Sequence, residues 1–133
     1  MSDIEAFLKA TTFAVAGASR DRSKYGNRVF RALLESGRAV YPINPTAMFI
    51  EGEKAFPTID DIPVVPESLS IVTPPHITRQ VISQAIVAGV KSIWMQPGAE
   101  DLEACLAARQ AGLRVIDDGS CILVSLALER SSR

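Results

Sequence analysis

Histidine, cysteine and tryptophan are nearly missing from this chain of 133 residues, and neither sign of charge prevails. Each scarcity closes off a class of function. The two cysteines, Cys105 and Cys121, form no CxxC pair and have no metal-ligand spacing, so neither a zinc centre nor a disulfide framework is expected. Reduced thiols in a cytoplasmic protein are the simplest reading. With Lys+Arg 14 against Asp+Glu 15, the chain has no global basic field of the kind that nucleic acid requires. No apolar run reaches the roughly 20 residues of a membrane span. The opening Met1-Ser2-Asp3-Ile4-Glu5 is acidic and helical in pattern, unlike a signal peptide. No G-x-x-x-x-G-K-[ST] loop is present, which argues against ATP hydrolysis. Internal repeats and low-complexity tracts are also lacking.

What remains is the composition of an ordinary single domain, 47% hydrophobic and 22% charged, expected to span 1–133. Its pattern alternates. Ser2 to Glu5 fits a capping box, and a short helix is expected over 3–10. Strands are expected at Thr12–Ala16, Ala39–Ile43, Leu69–Thr73, Val90–Met95 and Leu113–Ile116. Between them lie helical spacings: Val29, Phe30, Leu33 and Leu34, then Ile77, Val81, Ile82, Ala85 and Ile86, then Leu102, Cys105, Leu106 and Arg109. Gly37, Gly89 and Gly112 supply the helix stops. Pro74-Pro75 is expected to end the third strand. Residues 46–68 hold or adjoin four of the eight prolines and read as an irregular crossover, with at most a helical turn near Thr58–Ile62. Ile122–Leu128 is apolar throughout, and a terminal helix is expected, with a strand as the alternative. Such alternation makes a doubly wound parallel α/β sheet of five strands with helices on both faces. Ligands of these sheets lie beyond the carboxyl ends of the strands, where strand order reverses.

One strand end is written for an anion. Phe13-Ala14-Val15-Ala16 breaks into Gly17-Ala18-Ser19, then a basic loop, then Gly26 opening an amphipathic run. Gly17 permits close backbone approach, Ser19 offers a hydroxyl, and the helix N-terminus adds partial positive charge. Arg20, Arg22, Lys24 and Arg28 place four positive charges within nine residues, offset by Asp21 alone. The fingerprint G-x-G-x-x-G is missing its second and third glycines, with Ser19 in place of the second. At the end of the second strand, where an NAD enzyme commonly offers a carboxylate, stands Asn44. A neutral amide does not repel a phosphate attached to the ribose. The loop therefore favours an adenine nucleotide with extra phosphate, and both NADP and coenzyme A qualify on charge.

Seven stretches resemble one family: Val15-Ala16-Gly17-Ala18-Ser19, Arg22-Ser23-Lys24-Tyr25-Gly26, Val40-Tyr41-Pro42-Ile43-Asn44-Pro45, Gly52-Glu53-Lys54-Ala55-Phe56, Ile71-Val72-Thr73-Pro74-Pro75, Ile93-Trp94-Met95-Gln96-Pro97-Gly98 and Cys121. They are similar to the small single-domain coenzyme A-binding proteins related to the nucleotide-binding domain of the succinyl-CoA synthetase α subunit. The likeness runs over roughly residues 10–125. It implies a Rossmann-like fold. It further implies that Gly17, Ala18, Ser19, Arg22, Ser23 and Lys24 hold the phosphates and that Asn44 and Pro45 flank the adenosine. By the same resemblance Val72, Thr73 and Pro74 line the nucleotide or pantetheine cleft, and Gln96 and Gly98 border it. Asp118-Gly119-Ser120-Cys121 departs from the family's pattern, in which a basic residue directly precedes the cysteine.

No catalytic or metal-binding constellation emerges. His76 follows Thr73-Pro74-Pro75 and is the one imidazole, with no evident partner to orient it. Cys105 reads as core, and Cys121 as a buried structural thiol. Asp60-Asp61 reads as a solvated cap and Asp117-Asp118 as a turn. Trp94 belongs to the fourth strand's core. The expected function is a non-catalytic carrier, sensor or regulatory module for coenzyme A or an acyl-CoA. An NAD(P)-linked oxidoreductase is the alternative. The partner is a small nucleotide ligand, neither nucleic acid nor membrane, with a protein partner or self-association left open.

Overall fold

The computed structural model describes residues 1–132. The chain runs α1 (Asp3–Leu8), β1 (Thr12–Ala16), α2 (Tyr25–Glu35), β2 (Ala39–Ile43), β3 (Phe49–Ile50), β4 (Glu53–Lys54), a 3₁₀ turn (Ile59–Asp61), β5 (Ser68–Ile71), α3 (Pro75–Ala88), β6 (Ser92–Met95), α4 (Leu102–Gln110), β7 (Arg114–Ile116) and α5 (Ile122–Ser131). Five strands form one sheet in the order β2-β1-β5-β6-β7. Every neighbouring pair in it is parallel. The order reverses between β1 and β5, which puts the switch point beside the basic loop. Among the described residues, no helix is long and apolar enough to cross a membrane.

Strand alternation sends side chains into two separate cores. On one face Ala14, Ala16, Leu69, Ile71, Ile93 and Met95 pack with Ile82, Ala85, Ala104 and Ala108 of α3 and α4. On the other, Phe13, Val15 and Trp94 pack with Phe7, Val29, Phe30, Leu33, Ile122 and Leu126 of α1, α2 and α5. Phe7 lies edge-on to both Trp94 and Phe13, with ring centroids 5.3 and 5.7 Å away. The Trp94 indole N–H donates to the Ser120 carbonyl at 2.9 Å, so the only tryptophan is satisfied inside the core.

Three expectations are corrected. Pro74-Pro75 does not end a strand, because β5 stops at Ile71. Pro75 instead occupies the first turn of α3, where its missing N–H is no loss and its fixed φ suits a helix. β6 begins at Ser92 rather than Val90, whose N–H closes the C-terminus of α3 on the Ala85 carbonyl. The crossover at 46–68 holds a two-stranded hairpin, β3–β4, besides the 3₁₀ turn. Two residues per strand are too few for an alternation to be seen. The terminal segment is a helix.

The first turn of α2 closely approaches the end of β1. A Cβ on Gly26 would lie 2.0 Å from the Gly17 carbonyl oxygen. Gly17 itself has φ +88°, and a Cβ there would meet the Val72 carbonyl at 2.7 Å. Gly26→Ala should therefore destabilise the protein by about 2 kcal/mol or more, although alanine is the better helix former. A urea midpoint unchanged from the native protein would contradict this close approach.

Candidate functional site

Residues 17–24 form a loop ordered by its own short hydrogen bonds. The Ser19 hydroxyl accepts from the Asp21 N–H at 3.1 Å. The Asp21 carboxylate accepts from the Ser23 N–H at 2.9 Å and from its hydroxyl at 2.7 Å. Those two Ser23 donors hold the Asp21 carboxyl below its ordinary pKa. Two side-chain amides then fix the loop from behind. Asn44 Nδ2 donates to the Ala18 carbonyl and Asn27 Nδ2 to the Ser19 carbonyl, each at 2.8 Å. With both carbonyls pulled inward, the N–H groups of Ala18, Ser19 and Arg20 have no acceptor among the described residues. Main-chain N–H groups left without an acceptor suit an oxyanion.

Asn44 does more than flank the loop. Its Oδ1 accepts from the N–H groups of Thr46 and Ala47 at 2.9 and 2.8 Å, shaping the turn after β2. A cleft of about 390 Å3 lies between the two loops, lined by Ser19, Arg20, Asp21, Asn44, Thr46 and Ala47. A second hollow of about 240 Å3 adjoins it, with Thr46 and Ala47 in common, and includes Pro45, Met48 and Phe49. Met48 and Phe49 are 74% and 56% exposed, an apolar shelf beside the cleft. Arg20, Arg22, Ser23 and Lys24 are exposed on the loop.

The other expected residues occupy neighbouring strand ends and do not line that cleft. Val72 and Thr73 are half-buried, with the Val72 carbonyl backing Gly17 and the Thr73 hydroxyl 2.8 Å from that of Thr78. Pro74 and Gly98 are exposed, the Gly98 N–H donating to Glu100. Gln96 is fully buried. Its amide donates to the Ser70 hydroxyl at 3.1 Å, while its Oε1 accepts from the Ile122 N–H at 2.9 Å and the Tyr25 hydroxyl at 3.3 Å. It braces the first turns of α2 and α5 against the sheet.

Sequence reasoning passed over Tyr25, Asn27, Glu51, Met48 and Phe49. Asn27 falls on the buried side of an amphipathic helix, and a polar residue there is the signal that could have drawn notice. Its Oδ1 is buried without a partner. Glu51 alters the charge count, since Asp21 is not the loop's sole acid: the Glu51 carboxylate lies 3.4 Å from Arg22 Nη2. Tyr25 is 2.7 Å from Cys121 Sγ, and burial followed by that hydrogen bond pushes its phenol well above the usual range. Cys121, expected to be buried, is partly exposed at the N-cap of α5. Cys105 is buried, and burial followed by nearby Asp117 pushes its thiol up to about 11. His76 is exposed in the first turn of α3. Asp61 caps the 3₁₀ turn through Thr58, and Asp117 pairs with Arg109 at 2.8 Å.

Comparison with known proteins decides the family. The model for the CoA binding domain matches residues 11–127. The chain belongs to this CoA-binding family. Among its curated relatives is the α subunit of an ADP-forming acetate–CoA ligase from Pyrococcus furiosus, 33% identical over 91 residues, which are 68% of this chain and 20% of that protein. The chain thus spans about one fifth of that relative's length. A conserved hypothetical protein from Pyrococcus furiosus superposes with a TM-score of 0.80 at 37% identity, covering 86% of this chain and 97% of that one. The dinucleotide-forming acetyl-coenzyme A synthetase 1 of Ca. Korarchaeum cryptofilum, solved with phosphate and ADP, gives 0.78 at 35% identity over 90% of this chain and 28% of that one.

The two thiols of this CoA-binding domain should differ in reactivity. With an aromatic disulfide reagent near neutral pH, Cys121 should label at once and Cys105 only as the protein unfolds. Two thiols reacting in the folded protein, or fast labelling that survives Cys121→Ser, would contradict the assignment.

Proposed function

We propose that this chain binds coenzyme A, free or acylated, at the carboxyl edge of the sheet and serves as a non-catalytic carrier, sensor or regulatory module. The observation that carries the proposal is the loop at 17–24, in which Asn44 and Asn27 hold the Ala18 and Ser19 carbonyls, the N–H groups of Ala18, Ser19 and Arg20 have no acceptor among the described residues, and Arg20, Arg22 and Lys24 are exposed. Coenzyme A bears a pyrophosphate and a 3′-phosphate on adenosine. The loop's amides, the Ser19 hydroxyl, Arg22 and Lys24 suit those phosphates, with Gly17 keeping the backbone free of a Cβ. Asn44 leaves room for the extra phosphate because it carries no charge. The shelf of Pro45, Met48 and Phe49 suits the flat face of adenine. Val72, Thr73, Pro74 and Gly98 lie at the strand ends along which a pantetheine arm would run.

In this reading the side chains of the loop and of the turn after β2 bind and orient the ligand. Membership of the CoA-binding family supports the ligand, and homology to part of longer acyl-CoA-forming enzymes supports a binding role for the segment.

Calorimetric titration of the native chain with coenzyme A tests the reading, with NADP as the competing ligand. Coenzyme A should bind saturably, and the Ser19→Ala/Lys24→Ala double variant should weaken it by at least about tenfold. Heat with NADP and none with coenzyme A would overturn the proposal.

A further inference from the structure

We infer that Glu51 is an internal competitor for Arg22, a carboxylate held against that guanidinium from behind the loop and displaced from it when a phosphate of coenzyme A binds there; this rests on the coenzyme A reading above. Three observations place it there. The carboxylate lies 3.4 Å from Arg22 Nη2 and accepts from Asn27 Nδ2 at 3.2 Å. That same Nδ2 holds the Ser19 carbonyl, so the acid reaches the back of the phosphate loop itself. Glu51 is also the one non-glycine residue among the described ones with positive φ, at 51°. A side chain at such a position is disfavoured relative to glycine.

The hairpin itself cannot serve as a lid. Ile50 is buried in the same core as Ala18, Val29 and Phe30, which anchors the backbone next to Glu51. Only the side chain has to swing. Its 21% exposure leaves it a route to solvent, and Arg22 at 63% is free to turn toward a ligand. In the ligand-free protein the carboxylate neutralises part of the loop's charge. It therefore sets a threshold: a ligand must carry enough negative charge near Arg22 to outcompete an acid already in place. A weakly charged nucleotide gains little from that exchange, whereas a pyrophosphate gains more.

Titrations at low salt with coenzyme A, using native protein, Glu51→Gln, Arg22→Ala and the double variant, test this. Gln keeps the shape and still accepts from Asn27, so the loop stays anchored. Glu51→Gln should tighten binding by about two- to fivefold, in the range expected for losing one exposed ion pair. In the Arg22→Ala background the same change should leave the dissociation constant within about twofold. Unchanged or weaker binding by a folded Glu51→Gln protein overturns the inference and leaves the coenzyme A reading standing. A gain that persists without Arg22 overturns the displacement route. Failure of the native chain to bind coenzyme A overturns both readings.

Discussion

The first turn of α2 comes so close to the end of β1 that a Cβ on Gly26 would sit 2.0 Å from the Gly17 carbonyl oxygen. Much of the binding edge follows from that contact. It sets where α2 begins, and so where Tyr25 and Asn27 fall. It turns Asn27 onto the Ser19 carbonyl and Tyr25 toward Gln96 and Cys121. It also leaves the eight residues between the two glycines no option but to bulge outward as a loop. On that bulge Arg20, Arg22 and Lys24 are exposed while their backbone is fixed. Two glycines nine positions apart thus make the close strand–helix contact for which the dinucleotide fingerprint uses a tighter triplet.

Side-chain amides do the bracing. Asn27, Asn44 and Gln96 each join elements distant in sequence, and each is a neutral group that donates and accepts at once. A carboxylate in any of these places would accept only, and it would oppose an incoming phosphate. A lysine would donate only, and its burial without a partner would be costly. Carboxamides escape both penalties, at the price of needing their hydrogen bonds filled. Asn44 and Gln96 achieve this within the chain. Asn27 leaves Oδ1 unfilled in the interior, which marks the back of the loop as the least settled polar spot among the described residues.

How much of this was legible depended on whether the cause lay close by in sequence. Strands such as Thr12–Ala16 and helices such as α2 were readable because an apolar period is local, and the sheet's class followed from their alternation. Pro74-Pro75 misled because a proline pair excludes a strand and also opens a helix; only the preceding strand's length tells which applies. The hairpin at 49–54 was beyond reach, since two-residue strands have no period. The loop itself, Gly17 through the basic run, was readable because its residues are contiguous. Glu51 lies 29 residues beyond Arg22, and no spacing rule joins them until the hairpin folds back. Gln96 was expected beside the cleft and is instead buried beneath its supports, a difference that depends on which way one strand-end side chain turns.

The same physics makes this edge suited to holding an anion, as the proposed coenzyme A reading requires. The loop carries guanidinium and ammonium side chains, main-chain N–H groups and a hydroxyl, all suited to holding an anion. The imidazole and the partly exposed thiol stand at the same carboxyl edge but outside the loop. His76 sits on the exposed start of α3, at the end of a different strand. Cys121 is engaged with Tyr25, whose raised phenol pKa keeps its proton. In the longer relatives, of which this chain matches a fifth or somewhat more, such a domain is one part among several. A segment that grips the nucleotide end of a cofactor by its phosphates leaves the reactive end to be met by whatever faces the strand ends. On the coenzyme A reading proposed above, carriage and chemistry are separable on physical grounds.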